Sequence, residues 1–260
     1  MGGLSLVAGT ALRRLLPFAL LVALWWLLVW ALGVPERLMP SPPEVAQRLY
    51  LGLVADGDMW THVGATLRAT LLGFAIGSLL AVAVGSLLAM SRTLELLCYP
   101  AVVLIQSVPK VAIAPLVLLW MGFELRSTAT LVALICFFPV FVGTFVGVRA
   151  APPVLLDLFR TLNAGRLRTF LHCNLPNAAG SILAGLQVGW GFALVGCVVM
   201  EFITGTGGTG FLIDNSANAL DTRTAVAAMV LLGVLGYLGG SLLHLARRRL
   251  IFWEGDRHDG

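Results

Sequence analysis

Six stretches of this chain carry almost no charge, and each is about as long as a bilayer is thick. They are residues 15–35, 69–91, 96–123, 127–148, 173–200 and 224–243. Roughly 20 apolar residues in helical form cross about 30 Å of hydrocarbon. No water reaches the backbone there, and an α-helix satisfies its amide groups within one segment. The expectation is therefore an all-α membrane protein with six transmembrane helices. Composition agrees: 58% of the 260 residues are hydrophobic and 12% are charged, against about 25% charged in soluble domains. The third stretch is interrupted by Lys110, Pro109 and Pro115. The first follows Arg13-Arg14, as a signal peptide would. It runs uncharged for 21 residues with no small-residue cleavage pattern behind it, so it reads as a retained span.

An even number of spans puts both termini on one side, and the basic residues choose the side. Arg13, Arg14, Arg92, Arg149, Arg160, Arg166, Arg168, Arg247, Arg248, Arg249 and Arg257 share it. Arg37, Arg48, Arg126 and Arg223 fall on the other. Eleven against four places both termini in the cytoplasm. The chain then divides into a cytoplasmic N-terminus (1–14), one membrane domain (15–250) with a cytoplasmic loop at 150–176, and a cytoplasmic tail (251–260). The net charge of +4 belongs to those loop arginines and implies no nucleic-acid partner.

Glycines four residues apart recur at Gly73/Gly77, Gly143/Gly147, Gly185/Gly189 and Gly236/Gly240. Such faces let membrane helices approach closely. Pro42-Pro43 suits a helix start, and Val45, Leu49 and Leu53 fit a short amphipathic helix lying on the outer membrane surface. The Gly-rich segment 205–222 lacks the strand and Lys-Ser/Thr ending of a phosphate loop and reads as a flexible outer loop. Cys98, Cys136, Cys173 and Cys197 are widely spaced apolar fillers. His62, His172, His244 and His258 have no metal-ligand spacing, and no catalytic constellation is present. The chain is not expected to be an enzyme or to bind a metal or cofactor.

The loop itself is the unusual segment. "APPVLLDLFRTLNAGRLRTFLHCNLP" opens on Pro152-Pro153, a helix start, and places Asp157 in the first turns, where a carboxylate suits the helix dipole. Asn163, Ala164 and Gly165 break that helix, since Asn and Gly tolerate the left-handed conformation. A second short basic helix carries Arg166 and Arg168, and Pro176 opens the fifth span. A helix-turn-helix on the cytoplasmic face suits docking of a partner.

This loop resembles the signature of the inner-membrane permeases of binding-protein-dependent ABC importers. That signature reads Glu-Ala-Ala, three residues, Gly, nine residues, Ile, one residue, Leu-Pro. Here Asp157, Leu158 and Phe159 hold the first positions, Asn163 the glycine, Cys173 the isoleucine, and Leu175-Pro176 the end. Spacing is intact and identity partial. "LMPSPPEVAQRL", "SVPKVAIAPLVLLWMGF" and "GLQVGWGFALVGCVVMEFI" are similar to the branch importing nitrate, taurine, alkanesulfonates, bicarbonate or a thiamine precursor. The resemblance implies the MetI-like permease fold in a bacterial inner membrane, with the loop as the coupling helix. It implies two ATPase subunits that bind ATP and Mg, a second permease copy or paralogue, and an extracytoplasmic substrate-binding protein. The substrate would be a small anion or small organic solute.

Four polar residues within or at the ends of spans are candidates for the pathway: Gln106, Lys110, Gln187 and Glu201. An ammonium in the bilayer costs about 2.5–3.5 kcal/mol on insertion scales. Lys110 therefore faces a pathway and draws an anion, or caps carbonyls freed by Pro109 and Pro115. Glu201 gates, pairs with an arginine, or holds structure. The alternative, an ion-gradient-driven secondary transporter, needs intramembrane carboxylates and usually an inverted repeat; Glu201 is the one carboxylate available, and no repeat is evident.

Overall fold

The computed structural model describes residues 2–251, with side chains from Leu16 onward. Arg257, His258 and all but the first residue of the expected tail 251–260 lie outside the described residues. The chain is built of helices: α1 (Gly2–Leu32), α2 (Pro42–Tyr50), α3 (Asp58–Met90), α4 (Arg92–Ser107), α5 (Ala114–Met121), α6 (Leu125–Arg149), α7 (Pro153–Thr161), α8 (Arg166–Thr169), α9 (Leu175–Thr204), α10 (Thr209–Asn218) and α11 (Thr222–Leu250). Among the described residues, α3, α6, α11 and the continuous helix Arg166–Thr204 are long and apolar enough to cross a membrane. The apolar part of α1, Leu16–Leu32, is shorter.

The third expected span is not one rod. The α4 axis and the following helical segment meet at 80°. Pro109 has no amide to donate and its ring crowds the residue before it. Val108 is accordingly extended (φ −73°, ψ 129°), and a 3₁₀ turn, Lys110–Ile113, restarts the chain into α5.

The core is a three-helix sandwich in which α6 packs against α3 on one side and α9 on the other. Glycine permits that closeness. A methyl on Gly77 would sit 2.6 Å from the Ala133 carbonyl, and one on Gly143 would sit 2.6 Å from the Ser181 carbonyl. A methyl on Gly73, Gly147, Gly185 or Gly189 would likewise come within 2.5–2.9 Å of a neighbouring atom. The fourth pair behaves differently: Gly240 faces open space and Gly236 has only ordinary contact. On α11 it is Gly239 that makes room, for the indole of Trp190.

Two features at the end of the bundle opposite the 150–176 loop differ from the sequence reading. The apolar side of α2 packs on protein. Val45 is buried against Met59 and Ala227, because a tightly packed protein surface was available to cover it. The α2 start is a capping box, with Glu44 Oε2 accepting the Ser41 amide at 2.7 Å. The Gly-rich segment 205–222 is not a flexible loop but carries α10, whose Thr209, Gly210, Ile213 and Ser216 are buried.

Ion pairs sort to the two ends of the bundle. At one end Arg92 and Arg149 both meet Glu95. At the other, Arg48 meets Asp58 at 2.7 Å and Thr224 Oγ1 at 2.8 Å, while Arg223 meets Glu36.

Candidate functional site

The bend between α4 and α5 opens a cleft of about 720 Å³ against α6 and α9. Its walls are mainly apolar: Val108, Ile135, Phe138, Val142, Val188 and Phe192 are typical. The polar side chains reaching it are Gln106, Lys110 and Ser181. Lys110 Nζ donates to Gln106 Oε1 across the bend and lies 5.3 Å from the centroid of the Phe138 ring. It thus spends its charge on a side-chain amide and an aromatic face rather than on carbonyls freed by the prolines. A mainly apolar cleft of this size, with one cation and a few polar groups, suits a small solute.

Of the four pathway candidates, the cleft gathers Gln106 and Lys110 only. Gln187 is half-buried on α9 and is not among its lining residues. Glu201 is buried elsewhere, 5% exposed. Its Oε1 accepts Thr66 Oγ1 at 2.7 Å and its Oε2 accepts the Gly210 amide at 2.7 Å. Thr66 Oγ1 in turn accepts the Thr209 amide at 2.7 Å. The carboxylate therefore caps the first turn of α10 and ties it to α3. No arginine enters this set among the described residues. Ser181 and Phe138 were missed in the sequence because nothing in an apolar run marks which residue faces a cleft.

The second site is the loop at the Arg92/Arg149 end. Helix α7 begins at Pro153 behind Pro152. Asp157 sits past its first turn and pairs with Arg160 at 2.8 Å, instead of facing the helix start. Leu158 is 51% exposed and Leu162 69% exposed, and Phe159 is half-buried. Asn163 takes the left-handed conformation (φ +50°), and the Ala164 amide closes the turn on the Phe159 carbonyl at 2.9 Å. Gly165 is extended and caps α8, which bears the exposed Arg166 and Arg168. The expected second helix is not separate: α8 passes through a π-helical turn, Phe170–Asn174, directly into α9, with Leu175 and Pro176 half-buried in its first turn. Asn174 Nδ2 donates to the Val148 carbonyl at 3.2 Å and moors the loop to α6.

Residues 73–251 match the family model described as "Binding-protein-dependent transport system inner membrane component". The chain belongs to that family. This permease is 34% identical to SsuC of Escherichia coli (strain K12), named for aliphatic sulfonates transport, over 95% of each chain. It is 36% identical to the riboflavin transport system permease protein RibX of Chloroflexus aurantiacus, over 90% of this chain and 87% of that one. The sulfonate relative falls in the branch expected from the sequence, whereas riboflavin lies outside its substrates. The fold matches a chain of the MetNI methionine ABC transporter in an inward-facing conformation, with TM-score 0.68 at 18% identity. The match covers 75% of the permease and 98% of that chain.

Proposed function

We propose that the permease forms half of the pathway of an ATP-driven importer in a bacterial inner membrane. In this reading α1, α3, the bent pair α4–α5, α6, α9 and α11 are six spans, and both termini and the loop 150–176 are cytoplasmic. Two copies, or one copy and a paralogue, enclose the pathway. A separate ATPase holds ATP and Mg and grips the loop, while an external binding protein delivers substrate. ATP-driven motion of the ATPase pulls on α7 and, through α8 and the π-helical turn, on α9, which forms one wall of the cleft.

The observation that carries this reading is the loop. Leu155, Leu158, Leu162 and Leu167 stand exposed among arginines at a polar end of the bundle, where water would surround them without a partner. The rival, a gradient-driven transporter, would need a free intramembrane carboxylate; among the described residues the candidate, Glu201, has both oxygens engaged. For substrate, the cleft with its single lysine suits a small anionic or polar organic solute, the chemistry of the sulfonate relative.

Two measurements test this. Purified with its ATPase and binding protein, the complex should contain two permease chains and two ATPases, and vesicles should take up substrate only with ATP and the binding protein. Uptake by this chain alone on an ion gradient would overturn the reading. Lys110→Met should cut ATP-driven uptake about ten-fold, the effect of losing one hydrogen bond to a charged group, about 1.5 kcal/mol, with at most a small drop in melting temperature from the lost Gln106 and Phe138 contacts. A large drop in melting temperature instead would make Lys110 structural.

A further inference from the structure

Helix α11 carries a polar stripe that the transport reading leaves unused. Tyr237, Ser241, His244 and Arg248 recur at intervals of four, three and four residues, so they share one narrow arc of the helix surface. Together they border a cleft of about 440 Å³, with Leu245 beside them. All four are exposed, and Phe18 of α1 meets Tyr237 edge-on with ring centroids 6.2 Å apart.

The stripe straddles the edge of the hydrocarbon. The uncharged run 224–243 spans roughly 30 Å as a helix, the thickness of the bilayer core. Tyr237 and Ser241 then fall in its final turns, and His244 and Arg248 at headgroup level. Helical side chains lean toward the N-terminus, so Arg248 leans back toward His244. Among the described residues these hydroxyls, the imidazole and the guanidinium have no hydrogen-bond partner, and at the boundary between acyl chains and headgroups a polar lipid headgroup can supply one. Arg247 and Arg249 flank the site and raise the local positive potential.

We infer that this stripe is a site for an anionic phospholipid from the leaflet on the loop's side of the membrane. The phosphate diester sits between His244 and Arg248, where a guanidinium fork suits its oxygens. The Ser241 hydroxyl faces the glycerol ester carbonyls, and Leu245 and Tyr237 border the acyl chain. The added arginines favour an anionic over a zwitterionic headgroup. This inference rests on α11 spanning the bilayer and not on what the permease transports.

The test uses the full-length chain with its ATPase, delipidated in mild detergent and titrated with phosphatidylglycerol, phosphatidylcholine or inorganic phosphate. Binding is read by native mass spectrometry and by melting temperature. Phosphatidylglycerol should bind and raise the melting temperature; the other two should not at the same concentration. The double variant H244Q/R248Q should bind phosphatidylglycerol about five-fold more weakly. R249Q, about 100° round the helix, removes part of the field but no group of the site, and should weaken binding less than H244Q/R248Q does. If the double variant does not assemble, R248Q alone carries the same comparison. Equal binding of both lipids, an equal shift with inorganic phosphate, or equal losses in R249Q and H244Q/R248Q would overturn the site. So would no lipid binding at all, the result if a protein covers the stripe.

Discussion

Glutamate at Leu158 and Leu162 together should strip the ATPase from the complex while leaving the membrane domain folded. Both leucines are more than half exposed in the free chain, so their replacement disturbs no packing here. In a docked complex each would be buried, and losing two such side chains removes about 3 kcal/mol or more. That is roughly a hundred-fold in affinity, before the added cost of burying a carboxylate without a partner. Coupled transport should fall with it. The check is copurification of the ATPase alongside the melting temperature of the permease. Full copurification with both substitutions would remove the loop from the docking role. Charge reversal at Arg166 and Arg168 should have a smaller effect, since exposed charges at an interface rim steer association more than they hold it.

How much of this was legible beforehand depends on the physics of each feature. The core helices were readable because lipid imposes one demand, an uncharged helical run, and α3, α6, α9 and α11 meet it at nearly the expected positions. Glycine spacing pointed to close helix faces at Gly73/Gly77, Gly143/Gly147 and Gly185/Gly189, since only a hydrogen fits there. The same spacing failed at Gly236/Gly240, because a period says that a face is small and not that another helix lies on it. The prolines announced a break in the third span, but not its 80° angle. The loop's spacing located the turn at Asn163, while the merger of α8 into α9 was invisible. A π-helical turn leaves no compositional mark and keeps the chain helical where Pro176 was expected to open a new helix. Of the candidate pathway residues, sequence could rank them as polar groups in apolar runs. It could not tell that Glu201 faces α3 and α10 while Lys110 faces the cleft.

Glu201→Ala should be the most damaging single substitution inside the bundle. The carboxylate is buried between α9, α3 and α10, and it alone accepts the Gly210 amide. The backbone around it is shaped for that purpose. Gly207 and Gly208 have φ of +144° and +103°, a region that side chains rarely enter, and a methyl on Gly208 would collide with the carboxyl of Glu201. Removing the carboxylate leaves the Gly210 amide without its acceptor and the Thr66 hydroxyl without one of its partners, in a site closed to water. Each orphaned group costs about 1–3 kcal/mol, so the loss is about 3 kcal/mol. Glutamine should cost less than alanine, because its carbonyl can keep the Gly210 amide while its NH2 donates to Thr66 Oγ1, whose proton can turn to Thr209 Oγ1 3.1 Å away. Both variants should lower the melting temperature and the yield, and loosen α10, read as faster amide exchange across 209–218. The loop at the far end should still bind the ATPase in whatever protein assembles. Normal stability with altered substrate uptake would instead make Glu201 part of the pathway. The arrangement argues otherwise: both oxygens already accept bonds from α3 and α10 in a buried site, and Glu201 is not among the residues lining the cleft around Lys110.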